Sequence, residues 1–170
     1  MGSCRCAALV GPYLGGKTTL LESLLYTAGV IYRKGTVKEG NTVGDASEES
    51  KVRKMSTEVS YSAMNYLGED WTLLDCPGSI ELMQESLNAL NVSDVAVMVV
   101  EPILERVATL LPIFKALENR NMPHIIFVNK VDTLNNNISD VVSSIRSISG
   151  IPLLLREYPI FKDETVIGYI

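Results

Sequence analysis

The stretch that most constrains this chain is Gly11-Pro12-Tyr13-Leu14-Gly15-Gly16-Lys17-Thr18. It follows the apolar run Ala7-Ala8-Leu9-Val10 and opens a segment of helical spacing, Thr19 to Ala28. A G-x-x-x-x-G-K-T string between a strand and a helix is the setting in which a loop cradles phosphates. Gly11, Gly15 and Gly16 carry no Cβ to keep backbone N–H groups away from phosphate oxygens. The helix behind the loop aims its positive end at the same place. Lys17 can reach the β- and γ-phosphates, and the Thr18 hydroxyl can bind a magnesium ion that bridges them. Thr19 belongs to the same nucleotide-binding set. The plain alternative is a glycine turn that only joins a strand to a helix.

A length of 170 residues, 46% of them hydrophobic and 21% charged, fits one packed domain. The net charge of −5 and pI near 4.9 argue against a nucleic-acid clamp working by bulk attraction, so no direct DNA binding is expected. No apolar run approaches the ~20 residues of a membrane span. The amino terminus also lacks the basic region and long apolar core of a secretory signal, and no membrane partner is expected. Cys4, Cys6 and Cys76 make no disulfide framework, and no nearby Cys-His set completes a metal site. Met1-Gly2-Ser3-Cys4-Arg5-Cys6 partly matches a lipidated terminus, but Cys6 stands where Ser or Thr is required. This segment must instead feed a strand into the phosphate loop, with Cys4 and Cys6 on one face. Reduced thiols and a cytoplasmic location follow.

Leu20, Leu21, Leu24, Leu25 and Ala28 form one helical stripe that Gly29 stops. From Val30 to Lys54 the pattern dissolves into a long connection, a length usually reserved for functional or mobile loops. Glu58 to Tyr66 and Trp71 to Leu74 read as strands at hairpin distance, turned by Gly68-Glu69-Asp70. Ile80 to Leu90 is helical. Asp94 to Val100 is a continuous apolar run, the mark of a parallel strand buried on both faces. A helix starting near Thr109 or Pro112 runs towards Asn119. Ile125 to Val128 is a short buried strand, and Ser139 to Ile148 a helix closed by Gly150. Strands alternating with helices predict an α/β fold with a doubly wound, mostly parallel sheet.

Ligands bind such sheets at the carboxyl ends of the strands, where two further clusters lie. Asp75 ends one apolar strand, with Gly78 three residues on. The carboxylate can hold a magnesium-bound water, and the Gly78 N–H can approach a γ-phosphate. An ordinary Asp-Pro-Gly turn is the competing reading. Asn129-Lys130-Val131-Asp132 ends the Ile125–Val128 strand. The Asp132 carboxylate can accept from both the ring N1–H and the exocyclic amine of guanine, a pair that adenine does not offer. Asn129 can address the guanine carbonyl or tie loops together, while the Lys130 stem covers the base. A capped, solvated loop is the competing reading for this string alone. The three clusters in this order, each after an apolar strand, imply a guanine-nucleotide-binding domain for GTP and GDP, with Mg2+.

With these motifs in place, the sequence resembles the translational GTPases, and within them elongation factor G, from about Cys6 to Ile170. Leu24 to Gly29 and Gly35-Thr36-Val37-Lys38-Glu39-Gly40-Asn41-Thr42-Val43-Gly44-Asp45 look like that factor's first helix and the glycine-punctuated start of its first switch. Pro123 to Asp132 is similarly close. The resemblance implies a P-loop fold of the G-protein type. It also implies hydrolysis of GTP to GDP and phosphate, and action on the ribosome through the full-length protein.

Three departures accompany it. The family's first switch carries Arg-Gly-Ile-Thr, whose threonine binds magnesium; here the stretch is Arg53-Lys54-Met55-Ser56. Ser56 keeps a hydroxyl, so Thr18, Ser56 and Asp75 form the expected metal set. The family's second switch reads Asp-Thr-Pro-Gly-His, and here it reads Asp75-Cys76-Pro77-Gly78-Ser79. Ser79 replaces the histidine that helps activate the attacking water, and a helix N-cap is its other reading. The catalytic set is Lys17, Gly78 and, weakly, Ser79; His124 is expected to be structural. Lastly, nothing after Asp132 supplies the family's Ser-Ala loop, final strand and final helix. Residues 1–150 then read as an incomplete G domain with an unpaired sheet edge, and 151–170 as the start of the insertion that follows in elongation factor G.

The resulting expectation is the GTP-binding domain of an elongation factor G-like translation factor. The alternative is a hydrolysis-deficient GTP-binding regulatory module, motivated by Ser79 and Lys54. An ATP-using enzyme is a third reading, which Asp132 disfavours.

Overall fold

The computed structural model describes residues 4–44, 47–133, 138–162 and 165–170. Met1 to Ser3 of the amino-terminal segment, and Asp45 of the first-switch match, lie outside the described residues. The chain begins with β1 (Arg5–Val10), α1 (Lys17–Thr27), α2 (Glu48–Arg53), β2 (Ser60–Tyr66) and β3 (Glu69–Asp75). It continues through α3 (Met83–Leu90), β4 (Val95–Val100), α4 (Leu111–Asn119), β5 (His124–Val128) and α5 (Ile138–Ile148). A separate antiparallel pair, β6 (Pro159–Lys162) and β7 (Thr165–Tyr169), closes it.

The main sheet has the order β2-β3-β1-β4-β5. β1 pairs in parallel with both β3 and β4, and β4 in parallel with β5; β2 alone is antiparallel. This is the doubly wound, mostly parallel sheet that the sequence predicts. Its core follows from alternation along β1. Ala7 and Leu9 pack with Leu73 against Leu21 and Leu25 of α1. Ala8 and Val10 face the other way, into a cluster with Met98, Val100, Leu90, Phe114, Leu117, Val141 and Ile145. Helices α3, α4 and α5 therefore cover one face and α1 the other. β5 forms an edge among the described residues, so the burial expected of it is not met: Ile125 and Phe127 are 61% and 41% exposed. Among the described residues, no helix is long and apolar enough to cross a membrane.

Several boundaries differ from the sequence reading. The β2–β3 turn is Leu67-Gly68, not Gly68 to Asp70: both residues have positive φ, 52° and 83°, and Tyr66 pairs with Glu69. Two successive left-handed residues match the right-handed twist of a tight hairpin, so the leucine is accepted, 86% exposed, where glycine or asparagine is usual. The helix expected from Ile80 opens with a 3-10 turn, Ile80–Leu82, before α3. Another 3-10 stretch, Leu104–Leu110, precedes α4, whose first turn holds Pro112 as expected. The connection from Val30 to Lys54 also contains a helix, α2, where the sequence pattern predicts only loop. Ser47 caps it, accepting from the Ser50 N–H at 3.2 Å. Glu48 and Glu49 lie in its first turn and Lys51 and Arg53 in its last, each charge suited to the adjoining dipole end. With only six residues it shows no hydrophobic period, which is why pattern reading does not find it.

Phe114 is wholly buried and meets the His124 ring edge-on at 6.1 Å between centroids. His124 Nδ1 lies 2.9 Å from the Met122 carbonyl, which places the chain's one histidine at a strand start, as anticipated. Truncating Phe114→Ala is expected to cost about 3–5 kcal/mol of folding stability. Denaturant unfolding of the variant checks this, and a loss below about 1 kcal/mol would contradict the packing described.

Candidate functional site

The four parallel strands deliver one informative residue each to a single edge of the sheet. Gly11 follows β1, Asp75 ends β3, Glu101 follows β4 and Asn129 follows β5. Backbone pairing runs just past the strand ends: the Cys76 N–H donates to the Leu9 carbonyl at 3.1 Å and the Asn129 N–H to the Val100 carbonyl at 2.8 Å. This fixes the loops relative to one another before any side chain acts.

The phosphate loop lies along this edge. Lys17 is 6% exposed, and its Nζ donates to the carbonyls of Gly11 and Pro12 at 3.1 and 3.0 Å. Helix α1 begins after Gly16 with no side-chain cap and no acidic residue in its first turn. Its first N–H groups are thereby left for an anion, the fit expected of a phosphate site. Thr19 is exposed in that first turn. The loop is closely packed where glycine stands. A Cβ on Gly16, whose φ is 91°, would lie 2.2 Å from Asn129 Nδ2, and one on Gly78 would lie 2.5 Å from Lys17 Nζ. Glycine at these two positions lets Asn129 and the segment after β3 approach the loop between β1 and α1.

The expected metal set comes together. Thr18 Oγ1 donates to Asp75 Oδ2 at 2.6 Å and lies 3.3 Å from Ser56 Oγ. Thr18 and Asp75 are buried, and Ser56 is half-buried. The three oxygens come from the start of α1, the end of β3 and the segment just after α2. One carboxylate and two hydroxyls suit magnesium, which keeps waters and binds through few carboxylates plus substrate phosphates. Among the described residues, no cluster of three His, Cys, Asp or Glu side chains competes as a metal site.

The Asn129–Asp132 string is tied to the phosphate loop by two contacts. Asn129 Nδ2 donates to the Gly15 carbonyl at 3.1 Å, and Lys130 Nζ donates to the Leu14 carbonyl at 2.8 Å. Of the two readings open for Asn129, the structure displays loop-tying. Asp132 sits exposed in the 3-10 turn Val131–Thr133, at the outer end of the string.

The two switch departures acquire physical content here. Lys54 is the C-cap of α2 and adopts φ 52°, ψ 41°, the left-handed conformation in which glycine is favoured. Lysine bears a conformational cost there that glycine would not. Ser79 occupies the cap position before the 3-10 turn, but its hydroxyl donates to Glu81 Oε2 at 2.8 Å and makes no capping bond. The bond holds the exposed Glu81 carboxyl below the usual carboxylate range.

Two residues that no motif marked stand out. Glu22 of α1 is buried, and its carboxylate accepts from the N–H groups of Gly35 and Val43, each at 2.6 Å. It pins both ends of the glycine-punctuated segment to the helix that follows the phosphate loop. Glu101 binds Lys130 and Arg106. Glu22 lies in a run of helix formers and Glu101 next to a proline, so neither has a spacing that would reveal it.

With this geometry established, comparison with known proteins is informative. The family model for the elongation factor Tu GTP binding domain matches residues 3–164. An elongation factor G-like protein of Synechocystis sp. is 47% identical over 168 residues, covering 99% of this chain and 25% of that protein. Peptide chain release factor 3 of Lactobacillus helveticus is 29% identical, covering 96% of this chain and 32% of the factor. A crystal structure of a Thermus thermophilus protein superposes with a TM-score of 0.89 at 31% identity, covering 98% of this chain and 25% of that one. The chain thus spans between a quarter and a third of these relatives.

Cys76, between Asp75 and Pro77, is wholly buried. Burial first, then the neighbouring Asp75 charge, push its thiol up to about 12 despite the opposing Lys17. Thiolate is the reactive form, so at pH 8 Cys76 stays in the unreactive thiol form. Alkylation followed by peptide mapping is expected to label exposed Cys4 and to spare Cys76 until the protein is unfolded. Native labelling of Cys76 at the rate of Cys4 would contradict this burial.

Proposed function

Because the chain belongs to the elongation factor Tu GTP-binding domain family, we propose that it is the nucleotide switch of an elongation factor G-like translation factor. The observation that carries this is the meeting of Thr18, Ser56 and Asp75 beside Lys17. Ser56 lies on the first switch and Asp75 at the head of the second. A ligand that draws these oxygens together therefore acts on both switches at once.

In this reading, Lys17 exchanges its two loop carbonyls for β- and γ-phosphate oxygens, which are stronger acceptors for an ammonium. The backbone N–H groups of Gly16 to Thr19 hold the phosphates with it. Thr18 and Ser56 would hold magnesium by their hydroxyls, and Asp75 would hold it through water. The ion would neutralise charge on the bridged phosphates. The Gly78 N–H reports the γ-phosphate. Asn129 holds the base loop against Gly15, the Lys130 stem covers the base, and Asp132 accepts from guanine. Residues 1–150 would be the G domain and 151–170 the start of the following insertion. The full-length protein would act in the cytoplasm on the ribosome and hydrolyse GTP to GDP and phosphate there.

A second reading is a GTP-sensing module that barely hydrolyses, and the Ser79–Glu81 hydrogen bond favours it. Serine is shorter than histidine and carries no charge near neutral pH. Here its only proton is committed to a carboxylate. Single-turnover GTP cleavage by the full-length protein, with and without ribosomes, separates the two. A ribosome-stimulated rate is expected, and Ser79→His is expected to raise it by about tenfold or more, within the range of general acid–base assistance. Selective GTP binding with no cleavage in either protein would favour the sensing module.

A further inference from the structure

Glu101 follows the last residue of β4, with a side chain only 7% exposed. Its Oε2 accepts from Arg106 Nη1 at 2.5 Å, and its Oε1 accepts from Lys130 Nζ. The same ammonium reaches across to the Leu14 carbonyl at 2.8 Å. Lys130 is therefore held between the β4 end and the tip of the phosphate loop, and its backbone is left-handed, with φ 56°. A non-glycine residue keeps that conformation only where its surroundings hold it.

We propose that Glu101 is a positioning residue for guanine-nucleotide binding, fixing Lys130 over the base position before the ligand arrives. The inference rests on the guanine reading given above. A lysine has four rotatable side-chain bonds and loses that freedom wherever it is ordered. With Glu101 in place, the ordering occurs on folding, and nucleotide binding does not bear it again. A carboxylate this buried requires full compensation, and Arg106 supplies it on the oxygen that Lys130 does not use. Arg106 is 45% exposed and stands on the 3-10 stretch Leu104–Leu110, so it can neutralise Glu101 without entering the nucleotide site. The device sits at the base end of the site. Thr18, Ser56 and Gly78 lie on other elements, around the phosphates. Glu101 should then affect GDP and GTP alike.

The test is the release rate of a fluorescent GDP analogue and a fluorescent GTP analogue from the full-length protein, with inorganic tripolyphosphate affinity measured in parallel. Glu101→Gln keeps the shape but removes the charge and turns one acceptor into a donor facing a cation. Release of both nucleotides is expected to quicken by about tenfold or more, the scale of one charge-assisted hydrogen bond. Tripolyphosphate, which has no base, should bind as in the parent protein. Arg106→Ala is expected to lower folding stability, since it strips compensation from Glu101, and to quicken release less than Glu101→Gln does, because Lys130 keeps its own oxygen of Glu101. Parental release rates in Glu101→Gln would overturn the proposal. So would equal loss of tripolyphosphate binding, or acceleration by Arg106→Ala as large as that by Glu101→Gln; both would mark the cluster as a general brace. If Glu101→Gln fails to fold, Glu101→Asp, which keeps the charge but shortens the reach to Lys130, is read the same way: quicker release of both nucleotides with parental tripolyphosphate binding supports the proposal, and parental release overturns it. Failure of the parent protein to bind GDP at all would defeat the guanine reading itself.

Discussion

Parallel pairing on both sides of β1 is the constraint from which the site follows. Parallel strands point their carboxyl ends the same way, so each crossover returns the chain with its next loop on one edge. Gly11, Asp75, Glu101 and Asn129 come from widely separated parts of the sequence and meet for that reason. Hydrogen bonds between the ends then lock the loops together, from Cys76 to Leu9 and from Asn129 to Val100. The short Thr18–Asp75 bond is possible because β1 and β3 are neighbours. No loop in the site is placed by its own sequence alone.

Most of this was legible in the sequence because the signals were redundant. Three motifs each followed an apolar run, and every run proved to be a strand. The burial of Ala96, Met98, Val99 and Val100 could be anticipated from a string without polar breaks, although Val95 and Val97 stay half-buried. What escaped notice had no period to display. Helix α2 is too short for an apolar stripe, although Ser47 with Glu48 and Glu49 was a readable capping signal. The Leu67-Gly68 turn was misplaced by one residue because leucine gives no sign that it will accept a positive φ. Glu22 and Glu101 were invisible for a deeper reason. Their roles depend on contacts 13 to 29 residues away, to backbone N–H groups and to a lysine.

The departures from the family pattern are physically uneven. Lys54 retains the left-handed conformation that glycine adopts easily, so it changes the energy of the first switch rather than its path. Ser56 keeps an oxygen where a threonine oxygen is expected, within reach of Thr18. Cys76 fills a buried position without bringing a hydroxyl that would need a partner. Ser79 differs in kind, because it removes a group that can carry charge and commits its hydroxyl to Glu81. In the proposed function, nucleotide binding would draw on residues that are present, and cleavage would depend on a position where Ser79 stands.

The most direct test of the central claim is equilibrium competition on the full-length protein, with GDP, GTP and ATP each displacing a fluorescent GDP analogue in the presence of magnesium. The tie of Asn129 and Lys130 to the phosphate loop, with Asp132 next along the string, predicts displacement by GDP and GTP but not by ATP at comparable concentration. It also predicts that Asp132→Asn abolishes the preference, since an amide presents a donor where guanine requires an acceptor. Equal displacement by ATP and GTP from the unmodified protein would contradict the account.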